Sequence, residues 1–111
     1  VHAFYTPEAL NTLEKYCEDF RIALVHTVDL ATLAADLGYN LYLSGHTHGG
    51  QVCLPGGQPV ITALDSHRHL ASGRWIVKDM QGYTSCGLGY GFAPYRFNCP
   101  PEVTVNNFHK G

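Results

Sequence analysis

The chain has 111 residues, of which 45% are hydrophobic and 14% are charged, and its formal net charge is −2. This length suffices for one small domain with its own core, and the lack of a basic stripe excludes nucleic-acid binding by phosphate neutralisation. No apolar run approaches the about 18 residues of a transmembrane helix, and no signal-peptide pattern opens the chain. Because the first residue is not Met, we expect an upstream portion that includes any targeting segment.

The low charge predicts that part of the surface is covered. A free-standing soluble domain averages roughly 25% charged residues. We therefore expect a face that lies against another segment or another subunit.

The first half of the chain reads as helix, strand, helix, strand, which is an α/β pattern. Thr6 and Pro7 form a helix start, and an apolar stripe at helical spacing predicts about three turns: Leu10, Leu13, Cys17 and Phe20. Residues 21–25 are short and apolar enough to be a central strand.

A second helix is expected next, with Thr27 or Asp29 as its cap and Gly38 just past its end. Its predicted inner face consists of Leu30, Leu33, Ala34 and Leu37. Residues 41–44 are the following strand.

Histidines follow both predicted strands. His26 comes directly after the first strand, and Gly45-His46-Thr47-His48-Gly49 follows the second. If the strands are parallel neighbours, both sites lie at strand C-terminal ends, where open α/β sheets bind ligands. Converging imidazoles suit a metal ion or a pair of metal ions. A bare H-x-H pair is otherwise a surface feature that titrates near neutral pH.

The second half is predicted to be an antiparallel meander. Its expected strands and turns are a strand over 51–54, a turn at 55–57, strands over 60–63 and 74–78, a hairpin turn at 79–82, a return strand over 83–86 and a last strand over 102–105. Residues 65–73, with His67-Arg68-His69, are interpreted as a solvated polar loop, with a second histidine site as the alternative. The glycine-rich stretch 87–91 lacks the features of a phosphate-binding loop.

The four cysteines are irregularly spaced and form no C-x-x-C pair: Cys17, Cys53, Cys86 and Cys99. This argues against a zinc ribbon and against a redox dithiol. We interpret them as mostly buried thiols of a protein from a reducing compartment.

The histidine pattern resembles the closing G-H-x-H motif of the calcineurin-like metallophosphoesterases, with His26 as the isolated histidine that precedes it. Longer stretches resemble the YkuE-like bacterial branch: S-G-H-T-H-G-G-Q at 44–51, A-S-G at 71–73, S-C-G-L-G at 85–89 and R-F-N-C-P-P-E at 96–102. The similarity runs over roughly residues 22–106.

The resemblance implies a four-layer α/β/β/α sandwich around a two-metal centre and metal-dependent hydrolysis of a phosphomonoester, phosphodiester or pyrophosphate. It implies that His26 and His46 bind one divalent ion (Mn, Zn, Fe or Ni) and His48 the other, with His46 also facing the phosphoryl group. Gly49 and Arg96 are candidate substrate contacts, although Arg96 equally fits a surface role.

Of the family's other ligand motifs, G-D-x-x-D and G-N-H-[DE] do not occur in this sequence, and no D-x-H string precedes the G-H-T-H string. Residues 1–111 are therefore expected to be the C-terminal part of the domain, which pairs with the N-terminal half or with a second copy of the chain. The expected location is cytoplasmic or peripheral to the membrane or cell envelope. Two other interpretations stay open: a non-catalytic metal-binding or interaction module with half of the fold, and a structural domain with adventitious histidines.

Overall fold

Four short strands form one mixed sheet in the computed structural model, which describes residues 6–14, 19–47, 53–55, 68–89 and 94–110. The elements in chain order are α1 (Pro7–Glu14), β1 (Ile22–Leu24), α2 (Ala31–Asp36), β2 (Leu41–Ser44), a 3-10 helix (Arg68–Leu70), β3 (Gly73–Val77) and β4 (Met80–Thr84).

In the described sheet the strand order is β1-β2-β4-β3. The β1–β2 and β2–β4 pairs are parallel, whereas β3 and β4 form an antiparallel hairpin. The α2 helix makes the crossover that a parallel β1–β2 pair needs. The C-terminal ends of β1, β2 and β4 therefore share one edge of the sheet. This confirms the α/β class and the predicted parallel pairing of the first two strands.

The core lies on the sheet face that α2 and the 3-10 helix cover. Tyr42 is fully buried, its hydroxyl donates to the Thr27 carbonyl at 2.7 Å, and its ring lies 5.6 Å from that of Trp75. Gly82 lies between them in the sheet, where a Cβ atom would collide with the indole of Trp75. The absence of a side chain at position 82 is therefore what allows Trp75 to lie flat in the core.

The opposite face of the described sheet exposes several apolar side chains. Because side chains alternate along a strand, the neighbours of buried Ala23 and Trp75 point to this face. Ile22, Leu24 and Ile76 are 41%, 78% and 69% exposed.

Several expectations for the first half are wrong. Phe20 lies outside any helix and is 63% exposed, whereas the helical stripe placed it on an inner face. β1 lies at the edge of the described sheet, not at its centre, because a short apolar run does not reveal its neighbours. Neither Thr27 nor Asp29 caps α2. The Thr27 hydroxyl donates to the Asp29 carboxylate at 2.9 Å, and Leu30 stands at the cap position without a side-chain bond.

Other features of the first half are confirmed. The strand over 41–44 matches β2. Gly38, with φ of 81°, ends the second helix in the left-handed conformation that glycine adopts without strain.

In the second half, the predicted meander is wrong beyond the β3–β4 hairpin, because β4 pairs in parallel with β2. The hairpin turn lies at Lys78–Asp79, and residues 80–82 already belong to β4. Residues 102–105 form no strand. The proposed solvated loop is wrong for Leu70 and Ala71, which are 1% and 0% exposed, although His69 is exposed.

Some predicted features lie outside the described residues, among them residues 51–52, 60–63 and 65–67. Cys53 of the predicted 51–54 strand is described, and its N–H donates to the Phe97 carbonyl at 2.8 Å. In the described part of the chain, no helix has both the length and the apolarity needed to cross a bilayer.

Candidate metal centre

The backbone brings the first two histidine sites together at the C-terminal edge of the sheet. The Val25 N–H donates to the Leu43 carbonyl at 3.0 Å, which continues the β1–β2 pairing by one residue. The Gly45 N–H then donates to the His26 carbonyl at 3.2 Å. Because these bonds fix the two loops against each other, His26 and His46 are neighbours in space.

The two imidazoles face each other through one nitrogen each. His46 Nδ1 lies 2.8 Å from His26 Nε2, and the ring centroids are 4.6 Å apart with the planes at 63°. Two nitrogen ligands of one tetrahedral zinc ion are about 3.3 Å apart. The observed separation is that of a hydrogen bond and requires only a small opening of the rings to admit a shared ion. The donor set therefore fits two ligands of one metal.

Two hydrogen bonds of Thr47 hold the turn that carries His46. The Thr47 N–H donates to the Gly45 carbonyl at 2.7 Å, and the buried Thr47 hydroxyl donates to the Ala71 carbonyl. His46 itself has φ of 66°, a left-handed conformation that costs a residue with a side chain about 1 kcal/mol or more. The Thr47 anchor supplies part of the stabilisation that keeps the imidazole aimed at His26.

A buried hydroxyl network lies under the ends of β2 and β4. Thr84 is 0% exposed, and its Oγ1 donates to the Leu70 carbonyl at 2.6 Å and accepts from Trp75 Nε1 at 2.9 Å. Ser44 Oγ lies 2.9 Å from the same oxygen. No pattern in the sequence indicated this network, since a threonine within a predicted strand carries no special signal.

The structure does not describe all of the predicted site residues. His48 and Gly49 lie outside the described residues, and Asp29 accepts from Thr27. Within residues 6–14, 19–47, 53–55, 68–89 and 94–110, no group of three or more His, Cys, Asp or Glu side chains could hold a metal ion. The described part of the chain thus supplies two histidines and no carboxylate to the candidate centre.

Arg96 binds the loop that follows β4. Its guanidinium donates to the carbonyls of Cys86 at 2.6 Å, Gly89 at 2.8 Å and Cys99 at 3.3 Å. The Ser85 N–H donates to the Ser44 carbonyl at 2.9 Å, so this loop begins beside the His46 turn. Arg96 therefore holds a loop at the same sheet edge.

Glu102 holds the same loop from the other side. Its carboxylate accepts from the Tyr83 hydroxyl at 2.8 Å and the Cys86 N–H at 3.1 Å. Burial alone would raise the pKa of Glu102, but the bonds from Cys86, Tyr83, Thr104 and Ser85 outweigh it and lower the pKa below its usual value. In the sequence this residue appeared as the last residue of the R-F-N-C-P-P-E stretch and the first of the predicted strand over 102–105, with no role assigned to it.

A groove of about 900 Å³ lies elsewhere, along the open face of the sheet. It is lined by Trp75, Ile76 and Tyr83 among others, and by neither His26 nor His46. The converging imidazoles, and not the groove, mark the candidate metal centre, because the described residues that line the groove include no histidine, cysteine or carboxylate.

Two curated proteins are similar to this chain. The uncharacterized metallophosphoesterase YkuE of Bacillus subtilis (strain 168) is 39% identical over 100 residues, which cover 89% of this chain and 35% of YkuE. The phosphodiesterase YaeI of Escherichia coli (strain K12) is 38% identical over 88 residues, which cover 77% of this chain and 31% of YaeI. The chain thus spans about a third of the length of these relatives. No family model matches the chain, and neither does any solved structure.

Proposed function

Since this chain is related to the metallophosphoesterase family, we propose that it carries part of the metal centre of a phosphoester hydrolase of the phosphomonoesterase or phosphodiesterase class. The observation that supports this most directly is the 2.8 Å approach of His46 Nδ1 to His26 Nε2 at the C-terminal ends of parallel strands.

In this proposal His26 and His46 bind one divalent ion, and His48 binds a second. When bound, such ions supply positive charge that polarises phosphoryl oxygens and acidifies water. The Gly45–His26 backbone bond and the Thr47 anchor orient the imidazoles before any ligand arrives. Pre-orientation of this kind lowers the cost of assembling the site. Mn, Zn, Fe and Ni all accept imidazole ligands, so the donor set leaves the metal open.

The proposed substrate contacts are Gly49 and Arg96. The support for Arg96 is indirect, since its guanidinium donates to loop carbonyls at the sheet edge where the histidines lie. We propose that Arg96 contacts the substrate from this position at the sheet edge.

We further propose that residues 1–111 are the C-terminal part of a larger four-layer α/β/β/α domain. The relatives are about three times as long as the matched region, and the open face of the sheet exposes Leu24 and Ile76. The remaining half of such a domain, or a second copy of the chain, is the proposed partner of that face.

The experiment is metal content per chain, by elemental analysis, after loading with manganese or zinc and desalting. We expect His26→Ala and His46→Ala each to weaken binding by more than about tenfold. His69→Ala is the matched control, because His69 is exposed and lies outside the pair. An equal loss in the control would refute the assignment of His26 and His46.

Turnover of bis-p-nitrophenyl phosphate by the same samples distinguishes the alternatives. Metal binding without turnover supports a partial centre. Metal binding with turnover would show that the chain completes a centre by itself or across a dimer. Failure to bind metal would favour a non-catalytic interaction module.

A further inference from the structure

The loop that carries His26 is held by three hydrogen bonds. The His26 carbonyl accepts from the Gly45 N–H at 3.2 Å, and the next carbonyl, that of Thr27, accepts from the Tyr42 hydroxyl at 2.7 Å. The Thr27 hydroxyl donates to the Asp29 carboxylate at 2.9 Å. Because Thr27 is 1% exposed, water competes little with its bonds, and each of them is strong enough to fix the loop.

Tyr42 differs from the other partners of this loop because its hydroxyl reaches the loop from inside the sheet. Tyr42 is fully buried in β2, where it is paired with Ala23 of β1 and Gly82 of β4. The same strand leads directly into Gly45 and His46. A single bond therefore connects the strand that precedes one histidine to the residue that follows the other.

The Tyr42 bond adds a second point of attachment next to His26. The Gly45–His26 backbone bond by itself fixes one carbonyl of the loop. Since the Tyr42 bond fixes the next carbonyl along the chain, two successive carbonyls are held by different groups, and the backbone after His26 has one orientation. In that orientation His26 Nε2 lies 2.8 Å from His46 Nδ1.

We propose that Tyr42 is a positioning residue of the histidine pair, whose hydroxyl holds the His26 loop so that the two imidazoles meet before an ion binds. For metal binding this inference rests on the proposed function, and it assigns a role to a residue that acts through His26 without binding the ion. The Tyr42 ring lies 5.6 Å from that of Trp75 in the core. The ring thus belongs to the core, and the hydroxyl is the part that serves the pair.

Zinc affinity of the full chain tests the role of the hydroxyl. Tyr42→Phe keeps the ring but removes the donor to a buried carbonyl, and the loop then shifts to bring that carbonyl to water. We expect the dissociation constant for zinc to rise about tenfold, the lower end of the range for groups that act through a metal ligand. A purely structural hydroxyl would leave the zinc affinity unchanged, and that result would overturn the proposal.

Tyr83→Phe is the matched control. The Tyr83 hydroxyl forms a bond of similar length, 2.8 Å, but its acceptor is the carboxylate of Glu102 in the C-terminal segment and not the His26 loop. The control therefore removes the same group from the neighbouring strand without releasing a histidine. We expect its zinc affinity to equal that of the parent, and an equal loss in both variants would overturn the proposal.

A second readout needs no metal. At about pH 8 both imidazoles are neutral, and a hydrogen bond between His46 Nδ1 and His26 Nε2 transmits a scalar coupling between the two nitrogen nuclei, which NMR detects in the ¹⁵N-labelled chain. We expect this coupling in the parent and in Tyr83→Phe, and its loss in Tyr42→Phe. A coupling that persists in Tyr42→Phe, or that is missing from the parent, would contradict the positioning role.

Together the two readouts separate this inference from the proposed function. If the parent binds no zinc, the proposed function fails, while loss of the coupling in Tyr42→Phe alone still supports the positioning of the pair. If His26→Ala loses zinc and Tyr42→Phe does not, the proposed function stands and this inference fails.

Where Tyr42→Phe does not fold, substitutions at Thr27 test the same loop. Thr27→Val removes the hydroxyl that donates to Asp29, and Thr27→Ser keeps it. We expect the valine variant to bind zinc more weakly than the serine variant and to lose the coupling. Equal zinc affinity and equal coupling in the two variants would overturn the proposal that the bonds of this loop position His26.

Discussion

Gly82 in β4 has no room for a side chain. A Cβ atom at this position would overlap the indole of Trp75, which is itself only 7% exposed in the core. We expect Gly82→Ala to lower the free energy of unfolding by about 1–3 kcal/mol, the usual cost of overpacking. Urea denaturation measures the change. Gly45→Ala is the matched control, since a Cβ there meets no atom within 4 Å, and an equal loss in both variants would contradict the explanation.

Thr84 is the residue whose hydroxyl joins three parts of the core. Thr84→Val removes the donor to the Leu70 carbonyl and the acceptor for Trp75 Nε1. Leaving buried polar groups unpaired costs about 1–3 kcal/mol, and we expect this loss in the free energy of unfolding. Thr84→Ser keeps the hydroxyl and should retain most of the stability. If the serine variant is as unstable as the valine variant, the methyl group and not the network supports the site.

For single residues, the sequence predicted those features of the candidate site that depend on neighbouring positions in the chain. His26 and His46 stand directly after apolar runs, and their meeting followed from parallel strands alone. The contact between the segments that contain Cys53 and Cys99 was not predictable, because these residues are 46 positions apart in the chain. The segments are joined by bonds from the Cys53 N–H to the Phe97 carbonyl and from the Asn98 side chain to the Cys53 carbonyl.

Among the elements, the β3–β4 hairpin shows how a local signal misleads. Gly82 favoured a turn, but its role is to make room for Trp75, and the chain turns instead at Lys78 with φ of 53°. Lys78 also forms an ion pair with Asp36 of α2, which ties the turn to the helix. A glycine needed for close packing and one needed for a turn look alike in a sequence.

In the C-terminal segment, the polar residues point inward and the apolar residues point outward. Its alternation of polar and apolar residues is real, but Glu102 and Thr104 are half-buried, while Val103 and Val105 are 74% and 77% exposed. The inward residues are fixed by the Tyr83 hydroxyl. Alternation alone therefore identified an extended segment but not its orientation or its lack of strand pairing.

The Glu102 anchor makes the attachment of this segment pH-dependent. Because its pKa is lower in the folded chain, the carboxylate contributes stability above the unfolded value of about 4.3, and this is lost as the pH falls through the folded pKa. We expect Glu102→Gln to cost about 1 kcal/mol at pH 7 and the difference from the parent to shrink below about pH 4. Unfolding curves at several pH values measure this.

At the scale of the whole molecule, the decisive feature of the described residues is that one sheet face is packed in the core and the other exposes apolar side chains. The covered face holds Ala23, Tyr42 and Trp75, and the open one exposes Ile22, Leu24 and Ile76. For this reason, the apolar sequence of β1 led to the wrong prediction that it is a central strand. The outward residues of β1 are as apolar as those of a strand buried on both faces. The low fraction of charged residues, 14%, agrees with the expectation that another segment or subunit covers part of the surface.

An uncovered apolar face of this kind promotes association. We expect the chain by itself to self-associate with rising concentration in sedimentation experiments, and Leu24→Lys and Ile76→Lys each to shift it toward the monomer. Because both side chains are more than two-thirds exposed, the free energy of unfolding should change by no more than about 0.5 kcal/mol. Ala23→Lys, on the covered face of the same strand, should unfold the chain instead. A parent chain that stays monomeric at all concentrations, or lysine variants that associate as before, would show that this face needs no partner.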